Sequence, residues 1–355
     1  MATDKQPVGI GVVGAGMISN FHAKAIADTD HGRLIGCFNR NREKAEAFVK
    51  QHGGKAFASL DEMLADPDLD AVSICTPSGA HRDPAVQAAA AGKHVMVEKP
   101  LEVTADRCDE IINACRDAGV NLGVTFQSRF HESSRLLKQA IDQGRFGKIT
   151  MGDAYVKWYR SQEYYDSGAW RGTWELDGGG ALMNQAIHSV DLLLWLMGSV
   201  SQLSAMTDTL THERIEVEDV AVASLRFGSG ALGVIEATTT AYPGAFKRIE
   251  ISGSRGSAVL EEESLTQWQF DEETEQDEEI RRRMLDNTKT GGGAADPASI
   301  GHQGHTAVFN DFIDAIYSGR PPMIDGAEGR RSVALIQSIY ESARSQRMVL
   351  QPEKP

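Results

Sequence analysis

The stretch GVVGAGMIS constrains this chain more than any other feature, because it sits where a short apolar run, Val8 to Val13, gives way to a helical segment from about Ser19 to Ala27. A strand that ends in glycine and turns straight into a helix leaves the helix's first amides free to face an anion. Gly9, Gly11 and Gly14 also satisfy a GxGxxG spacing, but that frame lies inside the strand and forms no turn. In the frame that works, Gly14 makes the tight turn and Gly16 lets a pyrophosphate approach the backbone. Ser19 takes the place of the third glycine and is small enough for close helix–strand packing.

The alternation continues. Arg33 to Phe38, Ala71 to Cys75, His94 to Val97 and Asn121 to Thr125 read as strands, separated by helices at Arg42 to His52, Pro84 to Ala91 and Thr104 to Ala118. Strands spaced by helices of this length imply right-handed crossovers and a doubly wound parallel sheet, an α/β domain over residues 1–125. A chain of 355 residues has room for a second domain, assigned to 126–355. There the pattern changes to longer strands at Asp153 to Trp158, Gln202 to Asp208, Val220 to Phe227, Ala231 to Thr240, Lys247 to Ser252, Ser257 to Leu260 and Leu265 to Phe270. Turns such as Gly228-Ser229-Gly230 join them as hairpins, so this half is α+β with a large, mainly antiparallel sheet. Both alternating sets of Val220 to Phe227 contain apolar residues, which predicts partial cover on both faces, one by helices and one by a partner subunit. A helix is expected from Gly180 to Leu196. The acidic run Asp271 to Glu279 and Gly291-Gly292-Gly293 read as a solvated excursion. Helices at His305 to Tyr317 and Gly329 to Ser345 close the chain and are free to pack back on the first domain.

Composition removes several functions. The net charge is −14, with 36 basic against 50 acidic residues, which disfavours nucleic acid and anionic membranes as partners. No apolar run approaches the roughly 20 residues of a membrane span. MATDKQP carries no export signal, and Cys37, Cys75, Cys108 and Cys115 form no CxxC pair, so a cytoplasmic protein with reduced thiols is expected.

Three places carry chemistry. After the second strand comes Asn39-Arg40, where an NAD site normally has an acidic residue for the ribose hydroxyls. Asn39 bonds a ribose without repelling a phosphate, and Arg40 stacks on adenine and pairs with a 2′-phosphate. NAD and NADP both stay open, with the balance towards NADP. VEKP, Val97 to Pro100, follows a strand at the end where such sheets bind ligands, so Lys99 is aimed rather than free and suits a base that takes a proton from an alcohol. In GGGALMNQAIHSVDLLLWLMG, Asn184 and His188 are four apart on one helical face, placed to bond a substrate hydroxyl or share its proton. The plainer alternative pairs His188 with Asp191. His302 and His305 have a helical spacing that suits a metal, but no acidic or cysteine partner stands at ligand spacing, so no metal is expected.

Together GVVGAGMIS, CTPSGAH, VEKP, GGGALMNQAIH and HTAVFNDFIDAI resemble the Gfo/Idh/MocA family, named for glucose–fructose oxidoreductase and inositol dehydrogenase, over about Val8 to Met348. The resemblance implies an N-terminal Rossmann domain and a C-terminal domain with a large open sheet used for dimer or tetramer contacts. It also implies oxidation or reduction of a sugar or cyclitol carbon. It places the catalytic lysine on Lys99 and the helix histidine on His188, and many members have aspartate where this chain has Asn184. The cofactor set it implies is Gly14, Gly16, Met17, Ile18, Asn39, Arg40, Thr76, Pro77, His81, Glu98 and Lys99. Trp170 and Arg171 in AWRGTW are added as contacts to nicotinamide or substrate.

YRSQEYYDSGAWRGTWELDGGG, Tyr159 to Gly180, is similar to bacterial UDP-N-acetylglucosaminuronate 3-dehydrogenases, which also have asparagine at the matching site; Asn39-Arg40 departs from their acidic cofactor residue. The implied reaction moves hydride between a nicotinamide and a secondary alcohol, at the 3-position of a UDP-sugar, glycoside or cyclitol. Lys99 is its base, and Lys99, Lys157, Arg160, Asn184 and His188 meet the substrate. The rival expectations are a glycosidase that works by transient oxidation with retained NAD, and a non-catalytic nucleotide-binding protein.

Overall fold

A computed structural model describes residues 6–286 and 301–350, and these divide into two compact units. The first takes residues 1–127 and 301–333, the second 128–300 and 334–355. Residues 301–333 group with the first unit, and residues 334–355 with the second.

In the first unit, β1 (Val8–Val13), β2 (Gly32–Phe38), β3 (Lys55–Phe57), β4 (Ala71–Ile74), β5 (His94–Val97) and β6 (Leu122–Val124) form one sheet in the order β3-β2-β1-β4-β5-β6. Every pairing is parallel. All six residues of β1 are buried, as a central strand covered on both faces requires. The edge strand β3 has no counterpart in the sequence reading, because Lys55-Ala56-Phe57 is no apolar run, whereas the equally short β6 is buried throughout. Side-chain caps fix the crossover helices: Asn41, Ser59 and Thr104 each accept an amide from the first turn that follows. The helix Gln303–Ser318 lies against Met17–Ala27, with Phe309 in edge contact with His22 at 5.3 Å.

The second unit is built on an eight-stranded sheet. Its strands are β7 (Ile149–Lys157), β8 (Val200–Asp208), β9 (Val220–Phe227), β10 (Leu232–Thr238), β11 (Arg248–Gly253), β12 (Gly256–Glu261), β13 (Ser264–Phe270) and β14 (Val349–Leu350). The order is β13-β12-β11-β7-β10-β9-β8-β14, antiparallel except for the parallel pair β7/β10. The helix Ile187–Met197 covers one face, where Met197 fills the space that a side chain at Gly152 would need. The other face presents Met151, Met206, Val222 and Leu232 to solvent in the single chain, so the chain itself covers one side rather than two.

Two expectations change. The acidic run is not a loop: Glu275–Asp286 is a helix, and Asp277 is buried at its start, accepting from Arg145, Trp268 and Thr274. The Gly291 to Gly293 stretch lies outside the described residues. The helix expected from Gly180 is not α-helical throughout. Ala181–Ala186 is π-helical and Ile187–Met197 is α-helical, so Asn184 and His188 fall on different helical geometries. Wide turns of this kind recur at functional sites.

Candidate active site

In the first unit, Gly14 has φ of +102°, and a Cβ there would lie 2.8 Å from the Cys75 carbonyl, so only glycine fits. Gly16 caps the helix Met17–Ala27, and nothing lies within 4 Å of where its Cβ would stand. That open backbone, with Met17 exposed beside it, suits a pyrophosphate at the helix N-terminus. Ser19 is buried and donates to the Gly16 carbonyl at 2.6 Å, which locks the turn. Asn39 accepts from the Ala15 amide at 3.1 Å and donates to the Asn41 carbonyl at 2.9 Å. Its side chain therefore braces the glycine turn, while Arg40 stands exposed.

At the next strand end, Thr76 donates to the Ala80 carbonyl, and Pro77 opens the short turn Ser78–Ala80. His81 is buried between the Pro100 and Thr76 carbonyls at 2.9 and 3.0 Å. It pins that turn to the segment after Lys99. Glu98 is buried too, and its carboxylate takes His22 Nε2 at 2.7 Å and the Lys99 amide at 3.0 Å. Lys99 is half-buried beside it.

His305 brings its Nε2 to 3.6 Å from Glu98, whereas His302 bonds Asp28 at 2.6 Å. The two histidines do not share a ligand site. An acidic partner for His305 does exist, but it comes from Glu98, some two hundred residues away in sequence. Among the described residues His22, Glu98 and His305 are the group whose donor atoms fall within 4.8 Å of one another.

In the second unit, the helix carrying Asn184 and His188 starts against Glu218. This carboxylate is fully buried and accepts the amides of Gly180 at 3.0 Å and Leu182 at 2.8 Å, and the Tyr340 hydroxyl at 2.9 Å. Burial raises its pKa to about 7 against those three hydrogen bonds. The glycine run exists for this approach: a Cβ on Gly180 would meet the Glu218 carbonyl at 1.9 Å, and one on Gly179 the Tyr340 hydroxyl at 2.1 Å.

Asn184 donates to Asp177, and its own carbonyl accepts from Gln185 at 2.9 Å. Gln185 also donates to the Tyr164 hydroxyl at 2.9 Å and accepts from Arg160 at 2.9 Å. Arg171 donates to the same hydroxyl at 2.5 Å, lies over the Tyr164 ring at 4.2 Å and over Trp170 at 4.6 Å. Two guanidinium groups, one buried, thus gather on Tyr164 next to Asn184.

Lys157 is elsewhere. It pairs with Glu236 at 2.8 Å and alternates with the buried Val156, on the open face of the sheet. Asp191 is buried and takes Arg129 through two bonds, at 2.8 and 2.6 Å. Sequence reasoning missed Asp177, Glu218, Tyr164, Gln185, Tyr340 and His22. Asp177 stood in ELDGGG, directly before the glycines, and Gln185 directly follows Asn184; the others are joined to the site only by the fold.

Residues 8–126 match a family described as oxidoreductases with an NAD-binding Rossmann fold, and residues 134–259 match the GFO/IDH/MocA C-terminal domain. The myo-inositol 2-dehydrogenase of Thermotoga maritima is 28% identical over 350 residues, covering 96% of this chain and 97% of the relative. Among solved structures, the WlbA dehydrogenase of Bordetella pertussis, in complex with NADH and UDP-GlcNAcA, is similar at 39% identity with a TM-score of 0.90, covering 100% of both chains. A levoglucosan dehydrogenase with NADH and levoglucosan aligns at 26% identity and a TM-score of 0.85, covering 98% of this chain and 100% of that one. No helix among the described residues is long and apolar enough to cross a membrane.

Proposed function

This chain belongs to the GFO/IDH/MocA family and is an NAD-dependent sugar oxidoreductase, and from that premise we propose that its substrate is an anionic sugar, a UDP-linked uronic acid, and its reacting carbon C3. The observation that carries the substrate class is the pair Arg160 and Arg171 gathered on Tyr164, within one hydrogen-bonded chain of Asn184. Planar guanidinium groups held this way suit a carboxylate or a phosphate, and a neutral cyclitol offers them no charge to pair with. The likeness to a dehydrogenase solved with UDP-GlcNAcA supports the same reading.

Lys99 is the group that takes the hydroxyl proton in oxidation and returns it in reduction. A bound nicotinamide cofactor would supply the hydride acceptor. Asn184 and His188 orient the sugar, with Asn184 itself held by Asp177. Gly14, Gly16, Met17, Ile18 and Thr76 form the dinucleotide cradle, and Arg40 carries a preference for NADP over NAD. Four free, buried cysteines suit a reducing cytoplasm, and the apolar side chains on the open sheet face suit a homo-oligomer.

The test is turnover with UDP-N-acetylglucosaminuronic acid, myo-inositol and levoglucosan as separate substrates. The nucleotide sugar should be used at least a hundredfold better by kcat/KM. Lys99→Met should abolish that turnover while NADH still binds. Preference for either neutral substrate would overturn the substrate class, and undiminished turnover in Lys99→Met would overturn the base.

A further inference from the structure

The carboxylate of Glu98 is buried, and the bonds it makes bear on Lys99. Its Oε2 accepts the Lys99 amide at 3.0 Å, so the lysine's own backbone hangs on it. Its Oε1 accepts His22 Nε2 at 2.7 Å and stands 3.6 Å from His305 Nε2. His22 is in turn fixed by Ser73 Oγ on its Nδ1 at 2.7 Å. The two imidazoles pack at 5.4 Å, and Phe309 closes the edge of His22. His22 belongs to the helix whose first turn is the glycine cradle, and His305 to the helix packed on it. We propose that Glu98 is the positioning residue of Lys99, and that His22 and His305 fix its carboxylate; this rests on Lys99 acting as the base.

Charge supports the geometry. Burial alone lowers the His22 pKa, but Cys75 and Glu98 outweigh it and raise the value to about 10. Glu98 is held well below the usual carboxylate range by His22 and His305, against its burial. His305 itself is lowered, by burial first and against its hydrogen bond to Glu98. Stability does not account for such an arrangement, since a buried ion pair adds little over apolar packing of the same volume. A cation shared by the three donors does not account for it either. Two ligands of one metal stand about 3 Å or more apart, and the 2.7 Å between His22 and Glu98 is a hydrogen bond.

The experiment uses the full chain and needs no substrate for its main readout. Trace acetylation with acetic anhydride is followed by mass spectrometry, and the labelling of Lys99 is expressed relative to the exposed Lys44. Glu98→Gln should change that ratio at least threefold while the Kd for NADH stays within threefold. Its kcat with UDP-N-acetylglucosaminuronic acid should fall at least tenfold, with KM little changed. Ser73→Ala, a milder loss at the far end of the network, should move the ratio the same way and serves if Glu98→Gln does not fold. A ratio that moves less than threefold in every folded variant overturns the proposal, as does stoichiometric zinc retained through purification. Full turnover in Lys99→Met would overturn the base assignment and this inference with it. That outcome is told apart from a failure of positioning alone, in which Lys99→Met is inactive and the labelling ratio does not move.

Discussion

Asn184 donates its side-chain amide to Asp177, seven residues earlier in the chain, and the other oxygen of Asp177 accepts the Gly172 amide at 2.8 Å. A carboxylate thus meets Asn184 from the preceding loop rather than from the helix itself. Asn184→Asp would then set two carboxylates in contact, and only one of them can ionise cheaply. We expect kcat/KM at pH 8 to fall at least a hundredfold, about 2.7 kcal/mol, and to recover as acid lets the pair share a proton. The double change Asn184→Asp with Asp177→Asn should restore activity at pH 8. A pH–rate profile of the single variant parallel to wild type would show that the two side chains do not act together.

Arg40 is exposed, and Asn39 beside it braces the glycine turn. An exposed guanidinium at this position favours a 2′-phosphate by charge alone. Arg40→Glu should weaken NADPH at least tenfold, about 1.4 kcal/mol, and leave NADH within threefold, as read by fluorescence titration. Wild-type protein that binds NADH tenfold tighter than NADPH would remove the NADP preference.

Gly180 has no room for a side chain, since its Cβ position lies 1.9 Å from the Glu218 carbonyl, which is backbone and cannot swing aside. Gly180→Ala should cost about 3 kcal/mol in urea unfolding by overpacking. It should also displace the start of the helix that bears Asn184. Alanine tolerated there with unchanged stability and kcat would contradict this close approach.

The parallel sheet was legible because β1, β2, β4 and β5 are apolar runs punctuated by helices, and a buried strand leaves that mark whatever lies around it. β3 was not, because Lys55-Ala56-Phe57 at the sheet edge is no apolar run. The glycine turn and the strand end before Lys99 could be read because both are sequence-local geometry, a turn into a helix and the close of an apolar run. Asp177, Tyr164 and Gln185 could not be ranked, since what joins them to Asn184 is a chain of side-chain bonds that no spacing encodes. The acidic run from Asp271 was misread for a related reason. Its composition is that of a solvated loop, but Asp277 is buried by partners from Arg145 and Trp268, one of them over a hundred residues away. Despite the cost of burial, Arg145 and Thr274 hold its carboxyl well below the ordinary range.

Glu218 provides a pH test of the helix anchor with a definite sign. Burial raises its pKa from 4.5 to about 7, so between those values the folded chain keeps a proton that the unfolded chain has lost. Its contribution is therefore complete below about pH 4.5 and declines as pH rises through 7, by up to about 3 kcal/mol. Glu218→Gln cannot ionise. The difference in urea-unfolding stability between variant and wild type should shift in the variant's favour from pH 5 to pH 8.5 by an amount of that order. The comparison between the two proteins cancels the other groups that titrate in the window, and curves that stay parallel across it would show that Glu218 is ionised throughout.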